Sequence, residues 1–333
     1  MLPPLSPSTS FSAEPLAWGA QALWEDLRAL LPGLSVEVVP RAASTNSVLL
    51  ERARVSDTQI LENGRAELQP AIPDTAFGRR SVDWQPCLLV AEHQTGGRGR
   101  LGRTWHAAPG ASLTFSLALP MAPVSWSGLS LAVGVALAEA LEPPHGHAPS
   151  RLGLKWPNDL WLRDAPGAAS SPEEAGGTAL GRKLGGILVE TVSASAKRLA
   201  VIGVGLNVRP LDTGLTGGLS VACVDELYPG ISVPEVLATV AVPLVRALHL
   251  FEREGFSPFM ERFAARDCLL GRQVVLNHAD VREGRADGVA ADGALRVQAA
   301  QGLSVVHSGE VSVRLQQQPA TAADALASEE NPV

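Results

Sequence analysis

Cysteine is scarce in this chain. Its 333 residues hold three, Cys87, Cys223 and Cys268, an odd and widely spaced set that fits neither a disulfide framework nor a zinc site. Cys87 opens an apolar run and reads as a buried thiol. Aromatic residues are also few, yet 46% of the chain is apolar, enough for a sizeable α/β core. Positive charge is lacking overall: the net charge is −7, which excludes a general nucleic-acid binder, since such proteins need a positive field to engage phosphates. The N-terminus has prolines and Glu14 where a secretion signal needs a basic start and an unbroken apolar stretch. The apolar run at residues 129–141 carries Glu139 and falls short of a membrane span. The expectation is a cytoplasmic protein with no membrane partner.

The length favours two domains, or one large domain with additions. Residues 1–15 are rich in Pro and Ser and read as disordered. Helical spacing covers 16–31, ended by Pro32 and Gly33, and 35–39 reads as a strand. Residues 52–86 show no clear periodicity and read as an insertion or loop, as do 164–182. Strands are expected at 87–92, 112–119, 152–156 and 159–162, with a helix at 126–141 ended by Pro143 and Pro144. Two further apolar segments, 183–192 and 198–208, pair across a turn at 193–197. Helices follow at 234–253 and 257–267. Beyond Leu270 come short strands, with a turn around Glu283 and Gly284, forming a small barrel-like appendix that leans on the larger domain. The tail from Gln316 lacks apolar periodicity. No internal repeat is visible.

Chemistry concentrates in one stretch, Ala91 to Trp105. Gly96, Gly97, Gly99 and Gly102 let the backbone turn tightly and approach a ligand, and Arg98, Arg100 and Arg103 supply forked donors for carboxylate or phosphate oxygens. Following a buried strand, this reads as an anion-binding loop rather than a solvated surface loop, with Trp105 as a stacking face. Other segments read two ways. Lys155-Trp156-Pro157-Asn158-Asp159 is either a Pro-centred turn or a cluster of ligand groups. Lys183 either snorkels or stabilises charge on an oxygen during group transfer. Ser44-Thr45-Asn46 is a helix N-cap or a polar head-group site. Asn207 is a strand-end residue, and His145 and His147 are a weak metal candidate. No Ser-His-Asp or paired-carboxylate arrangement stands out. Residue types alone reach an anion-binding α/β enzyme.

Taken together, the segments resemble the biotin–protein ligase family: Ser44-Thr45-Asn46, Glu92-His93-Gln94 leading into the Gly/Arg loop, Lys155 to Asp159, Arg182 to Glu190, and Gly203 to Val208, in the family's order. The resemblance implies an α+β fold, a mixed sheet with flanking helices like that of class II aminoacyl-tRNA synthetases, plus a C-terminal SH3-like β-barrel domain. The expected division is an N-terminal extension at 1–34, a catalytic domain at 35–268, the SH3-like domain at 269–316 and a tail at 317–333. The implied activity is ATP-dependent formation of biotinyl-5'-AMP and transfer of biotin to a lysine of a biotin carboxyl carrier protein, an acetyl-CoA carboxylase subunit or related carboxylase domain. By the same resemblance, Ser44, Thr45, Asn46, Gln94, Arg98, Gly99, Arg100 and Lys183 contact biotin, with Lys183 and Arg98 catalytic. Arg100, Arg103, Trp105, Lys155, Asn158 and Asn207 face the nucleotide, and Asp159 faces ATP-bound magnesium.

About 35 residues precede the first strand, too few for the helix-turn-helix domain that some members carry, so no DNA binding is expected. A homodimer through a sheet edge fits the family. The rivals are a lipoate–protein ligase or octanoyltransferase, a non-catalytic biotin sensor, and a nucleic-acid binder using its arginine cluster, which the acidic total disfavours.

Overall fold

The computed structural model describes residues 16–63, 76–77, 84–144, 150–163, 180–194, 197–212, 214, 221–308 and 311–315. The expectations for 1–15, for the tail beyond Leu315, for His145 and His147 and for most of 164–182 lie outside these residues.

In chain order the elements are α1 (Ala20–Leu27), β1 (Ser35–Ala42), α2 (Thr45–Asn63), β2 (Ala76–Phe77), β3 (Cys87–Gln94), β4 (Gly97–Arg98), β5 (Thr104–Trp105), β6 (Ser112–Pro120), α3 (Leu129–Leu141), β7 (Leu152–Lys155), β8 (Asp159–Leu162), β9 (Arg182–Ala194) and β10 (Lys197–Asn207). Then come α4 (Val233–Glu254), the single turn α5 (Met260–Ala264), β11 (Gln273–Leu276), β12 (Glu283–Val289), β13 (Leu295–Ala299), β14 (Gly302–Val306) and β15 (Val313–Leu315).

Eight strands form one mixed sheet in the order β2-β1-β3-β6-β10-β9-β8-β7. The pair β1 and β3 is parallel and the other neighbours are antiparallel. A parallel pair needs a crossover, and α2 lies within it. Helix α2 covers one face, packing Leu49, Leu50 and Ala53 over Cys87, Leu89, Ala118, Leu199 and Val201. On the other face α1, α3 and α4 bury the larger core, with Val36, Val38, Leu88, Val90, Phe115 and Leu117 beneath them. The alternation of β3 and β6 therefore divides their side chains between two cores. By length and composition α4 is apolar enough to cross a membrane. Here it is a core helix whose Val236, Leu237, Val240, Leu244, Val245, Leu248 and Phe251 are buried, and a Ser232–Glu235 capping box starts it.

The structure corrects several boundaries. Residues 52–63 are not loop: α2 continues through them, since neither Gly nor Pro interrupts residues 45–63. The first helix is shorter than 16–31, the third starts at Leu129, and 257–267 holds a 3-10 turn and one α turn rather than a single helix. Glu283 and Gly284 open β12 instead of forming a turn, because they pair with Val275 and Val274 of β11.

The C-terminal strands form a separate five-stranded antiparallel sheet, β14-β13-β12-β11-β15. It joins the first domain at Asp267, which bridges to Leu154 and is buried with Oδ2 lacking a hydrogen-bond partner. Burial pushes its carboxyl up to about 6, against the pull of hydrogen bonds from the Leu269 and Leu270 amides and the charge of Arg163. A carboxyl whose folded pKa exceeds its unfolded value holds its proton longer in the fold. Stability therefore falls as pH rises from about 4 to about 6, by up to roughly 3 kcal/mol. Asp267→Asn, which keeps an acceptor for Leu269, is expected to stabilise the protein at pH 8 and to flatten that slope. Urea denaturation at pH 4.5 and pH 8 tests this: a loss of stability at pH 8 would contradict it.

Candidate active site

A cleft open to solvent at its mouth lies where α2, the Gly/Arg loop, β8, β9 and β10 converge. It collects Ser44, Thr45, Asn46, Gln94, Arg98, Gly99, Arg100, Arg103, Trp105, Asn158, Asp159 and Lys183, residues spread over 140 positions of sequence. Lys155 and Asn207 are not among its lining residues. Lys155 extends over the Trp161 ring at 4.9 Å, and burial lowers its pKa. Asn207 is buried and places its amide nitrogen 3.4 Å from the Lys183 carbonyl and 3.1 Å from that of Ala222. It thereby ties the end of β10 to the start of β9.

The polar end of the cleft is built on the N-terminus of α2. Ser44 caps that helix, accepting from the Ser47 amide. Gln94, at the end of β3, accepts the Thr45 backbone N–H at 3.0 Å through Oε1. An N–H has only a proton to give, so this contact fixes the amide and leaves Gln94 Nε2 as a donor. Asn46 is fixed the opposite way. Its Nδ2 donates to the Leu188 carbonyl at 3.2 Å and to Glu190 Oε2 at 3.0 Å, spending both hydrogens. Ser116 Oγ lies 2.6 Å from Asn46 Oδ1 and must donate there, because that oxygen has no proton. One lone pair of Asn46 Oδ1 remains. Thr45 Oγ1, 2.6 Å from Ser116 Oγ and 3.2 Å from Gln94 Oε1, then donates to one of those two.

Strand register orders the rest of the cleft. Leu188 pairs with Gly203 and Gly186 with Gly205, so the line from Asn46 to Lys183 follows β9 and β10 over about 15 Å. A Cβ on Gly203 would lie 2.2 Å from Asn46 Oδ1, and one on Gly205 would lie 2.5 Å from the Trp105 indole. Both glycines are therefore spaces that those side chains occupy. The Trp105 Nε1 is buried without a hydrogen-bond partner. At the far end, Lys183 Nζ is 2.7 Å from Asp159 Oδ1 and 5.8 Å from the Trp105 ring centroid.

Asp159 is the only carboxylate among the lining residues, and no cluster of three metal-ligating side chains occurs among the described residues. That donor set fits a magnesium ion carried on nucleotide phosphates, which takes one or two protein carboxylates and keeps its waters. It does not fit a resident metal site.

The loop between β3 and β6 is held through Arg98 and Arg100. Arg98 forms a two-point contact with Glu190, Nη2 to Oε1 at 2.9 Å and Nη1 to Oε2 at 3.5 Å, and reaches Ser47 Oγ at 3.2 Å. Arg100 donates to the Ser308 carbonyl and, at 3.4 Å, to that of Val311, which links the loop to the C-terminal sheet. Burial lowers the pKa of Arg100. Trp156 adds a second link, its Nε1 donating to the Gly293 carbonyl at 3.1 Å.

Two contributors to this network lie outside the sequence expectation. Ser116 is signalled by the alternation Ser112, Thr114, Ser116 in an otherwise apolar strand, which is unusual for a strand buried on both faces. Glu190 is an acid inside an apolar run, and a half-buried acid calls for partners.

The comparisons agree with this geometry. The pattern of the biotin/lipoate A/B protein ligase family matches residues 80–207, and that of the biotin protein ligase C-terminal domain matches 269–314. The Escherichia coli bifunctional ligase/repressor BirA is 31% identical over 294 residues, covering 85% of this chain and 75% of that protein. The biotin–[acetyl-CoA-carboxylase] ligase of Mycobacterium tuberculosis is 35% identical over 176 residues, 52% of this chain and 49% of its own. In fold, the chain is similar to the biotin protein ligase of Aquifex aeolicus solved with biotin and ATP, with a TM-score of 0.58, 23% identity, and coverage of 84% of this chain and 99% of that one. The fold and the matched pattern are those of the biotin/lipoate A/B protein ligase class. Within that class, the chain belongs to the biotin–protein ligase family.

The Gly203 contact generates a double-mutant test. Gly203→Ala is expected to cost about 1–3 kcal/mol by overpacking in the wild-type background, and much less beside Asn46→Ala. Equal costs in both backgrounds, by urea denaturation, would show that Asn46 is not the neighbour that matters.

Proposed function

We infer that this chain activates biotin with ATP and transfers it to the lysine of a carboxylase carrier protein. The observation that carries the reading is the fixed polarity of the two amides. A cyclic urea has one carbonyl acceptor and two N–H donors, and the cleft offers the Gln94 Nε2 donor and the Asn46 Oδ1 acceptor, with Ser44 Oγ beside them. A lipoyl dithiolane ring has neither urea N–H nor carbonyl and would leave the Gln94 Nε2 donor and the second lone pair of Asn46 Oδ1 unmatched, at a cost of about 1–3 kcal/mol for a group left without a partner.

With the head group there, a carboxylate-ended tail runs along β9 and β10 towards Lys183. A carboxylate oxygen attacks the α-phosphorus of ATP and pyrophosphate leaves, giving the acyl-adenylate. The neutral amine of the acceptor lysine then attacks the acyl carbon, the bond to AMP breaks, and the amine loses a proton as the amide forms. Lys183 carries the charge nearest these oxygens, oriented by Asp159, and stabilises negative charge as it builds. Arg100 and Arg103 face the phosphates, and Trp105 offers its indole as a stacking face. Asn158 lines the same end and faces the nucleotide. Lys155 and Asn207 act from behind the wall, Lys155 through its charge and Asn207 by holding Lys183's strand. The Gly/Arg loop shields the adenylate from water.

The reading includes magnesium on the nucleotide, a cytoplasmic site of action, and no partnership with DNA or membrane. It also includes a homodimer through a sheet edge. Beyond Ile187, which still bonds Asn158, β9 pairs with β10 on one side and has no strand partner on the other among the described residues, so such an edge is open.

Biotin-dependent exchange of labelled pyrophosphate into ATP tests the adenylating half-reaction. Exchange is expected with biotin, and its absence would remove the reading in favour of a sensor. Lys183→Ala is expected to slow exchange at least about 100-fold while biotin affinity stays within a few-fold. Full activity in that variant would take the electrostatic role from Lys183. In Arg100→Ala, preformed adenylate is expected to escape faster, as followed by rapid filtration, and unchanged release would count against the closing loop.

A further inference from the structure

Glu190 lines neither the charged end of the cleft nor its floor, yet two elements that build the head-group end meet on its carboxylate. Oε2 takes the Asn46 amide at 3.0 Å, and Oε1 takes Arg98 Nη2 at 2.9 Å. The side chain is 23% exposed, so the pair is partly shielded. Flipping Asn46 would set its oxygen against the Leu188 carbonyl and the Glu190 carboxylate at once, and would turn its amino group towards Ser116. The carboxylate thus decides which end of the amide a ligand meets. The same carboxylate holds Arg98, and Arg98 Nη1 reaches Ser47 in the first turn of α2. The start of the Gly/Arg loop is thereby pinned against the helix that supplies Ser44, Thr45 and Asn46.

We propose that Glu190 is a positioning residue for head-group recognition: it fixes the acceptor face of Asn46 and, through Arg98, fastens the glycine–arginine loop over that end of the cleft. This rests on the biotin reading and names a residue that sets its selectivity. A purely structural ion pair of this exposure would add little to stability and nothing to ligand choice. Positioning predicts a different pattern, in which ligand affinity falls while the chemical step, which occurs at the Lys183 end, is spared.

The test uses the full chain, with biotin titrated by calorimetry and exchange kinetics run beside it. Glu190→Ala is expected to raise the Kd and KM for biotin about tenfold to fiftyfold, the loss of hydrogen bonds to a charged group, with kcat within about twofold. Glu190→Gln should fall between, because its amide oxygen still accepts from Asn46 while Arg98 loses its counter-charge. Arg98→Ala should weaken binding in the wild type and add little beside Glu190→Ala.

A Kd for Glu190→Ala within twofold of wild type, or a fall in kcat at unchanged KM, overturns the proposal. If Glu190→Ala does not fold, Glu190→Gln carries the test alone, and an unchanged Kd in it is the overturning result. A wild-type chain that binds no biotin fails earlier, at the functional reading, whereas a binding wild type with an indifferent Glu190 defeats this inference only.

Discussion

Two buried carboxamides with no freedom to flip govern the site. A buried polar group must be paired or it costs the fold about 1–3 kcal/mol, and Asn46 and Gln94 are both buried. Thr45 N–H makes one orientation of Gln94 obligatory, while Leu188 O and Glu190 do the same for Asn46. What remains unspent is a donor on Gln94 and an acceptor on Asn46, both residues lining the cleft, and the proposed function has a ligand meet that remainder. On the proposed reading, selectivity comes from groups left over after internal pairing is complete. Sites of this kind reject analogues that lack the matching atoms more strongly than an apolar pocket can.

The scaffold serves that constraint. Ser116 reaches Asn46 because β6 lies beside β3 and turns its polar side chains to the α2 face. Gly203 and Gly205 leave the space that Asn46 and Trp105 fill. The register of β9 with β10 places the Lys183–Asp159 pair several residues along from the amides, and the proposed function assigns chemistry to the first and recognition to the second. The C-terminal sheet is part of the arrangement, since it accepts from Arg100 and Trp156, residues of the two motifs at the charged end.

Much of this was legible in the sequence because it is local. The glycines and arginines from Gly96 to Arg103 announce a backbone that approaches an anion, and strands such as 87–92 and 112–119 declare themselves as apolar runs bounded by turns. The extent of α2 was not legible, since residues 52–63 carry no clear apolar periodicity of their own. Glu283 and Gly284 misled for a related reason: they resemble a turn, and only pairing with β11 makes them strand. Ser44 to Asn46 read equally well as a helix cap, and the structure shows one segment in both positions, capping α2 and lining the cleft. The partners that fix the amides, Ser116 and Glu190, lie 70 and 144 residues from Asn46. Their residue types stand out in the sequence, but a pairing over such a distance does not.

The most direct measurement of the central claim is a comparison of three ligands by calorimetry on the same protein: biotin, desthiobiotin and lipoate. Desthiobiotin keeps the cyclic urea and loses the sulfur ring, whereas lipoate keeps the acid tail and lacks the urea. The account predicts that desthiobiotin binds within about tenfold of biotin and lipoate at least about a hundredfold more weakly, a gap of about 2.7 kcal/mol or more set by the unpaired amides. Lipoate binding as tightly as desthiobiotin would contradict it, and would show that the tail and the charged end, rather than the fixed amides, choose the substrate.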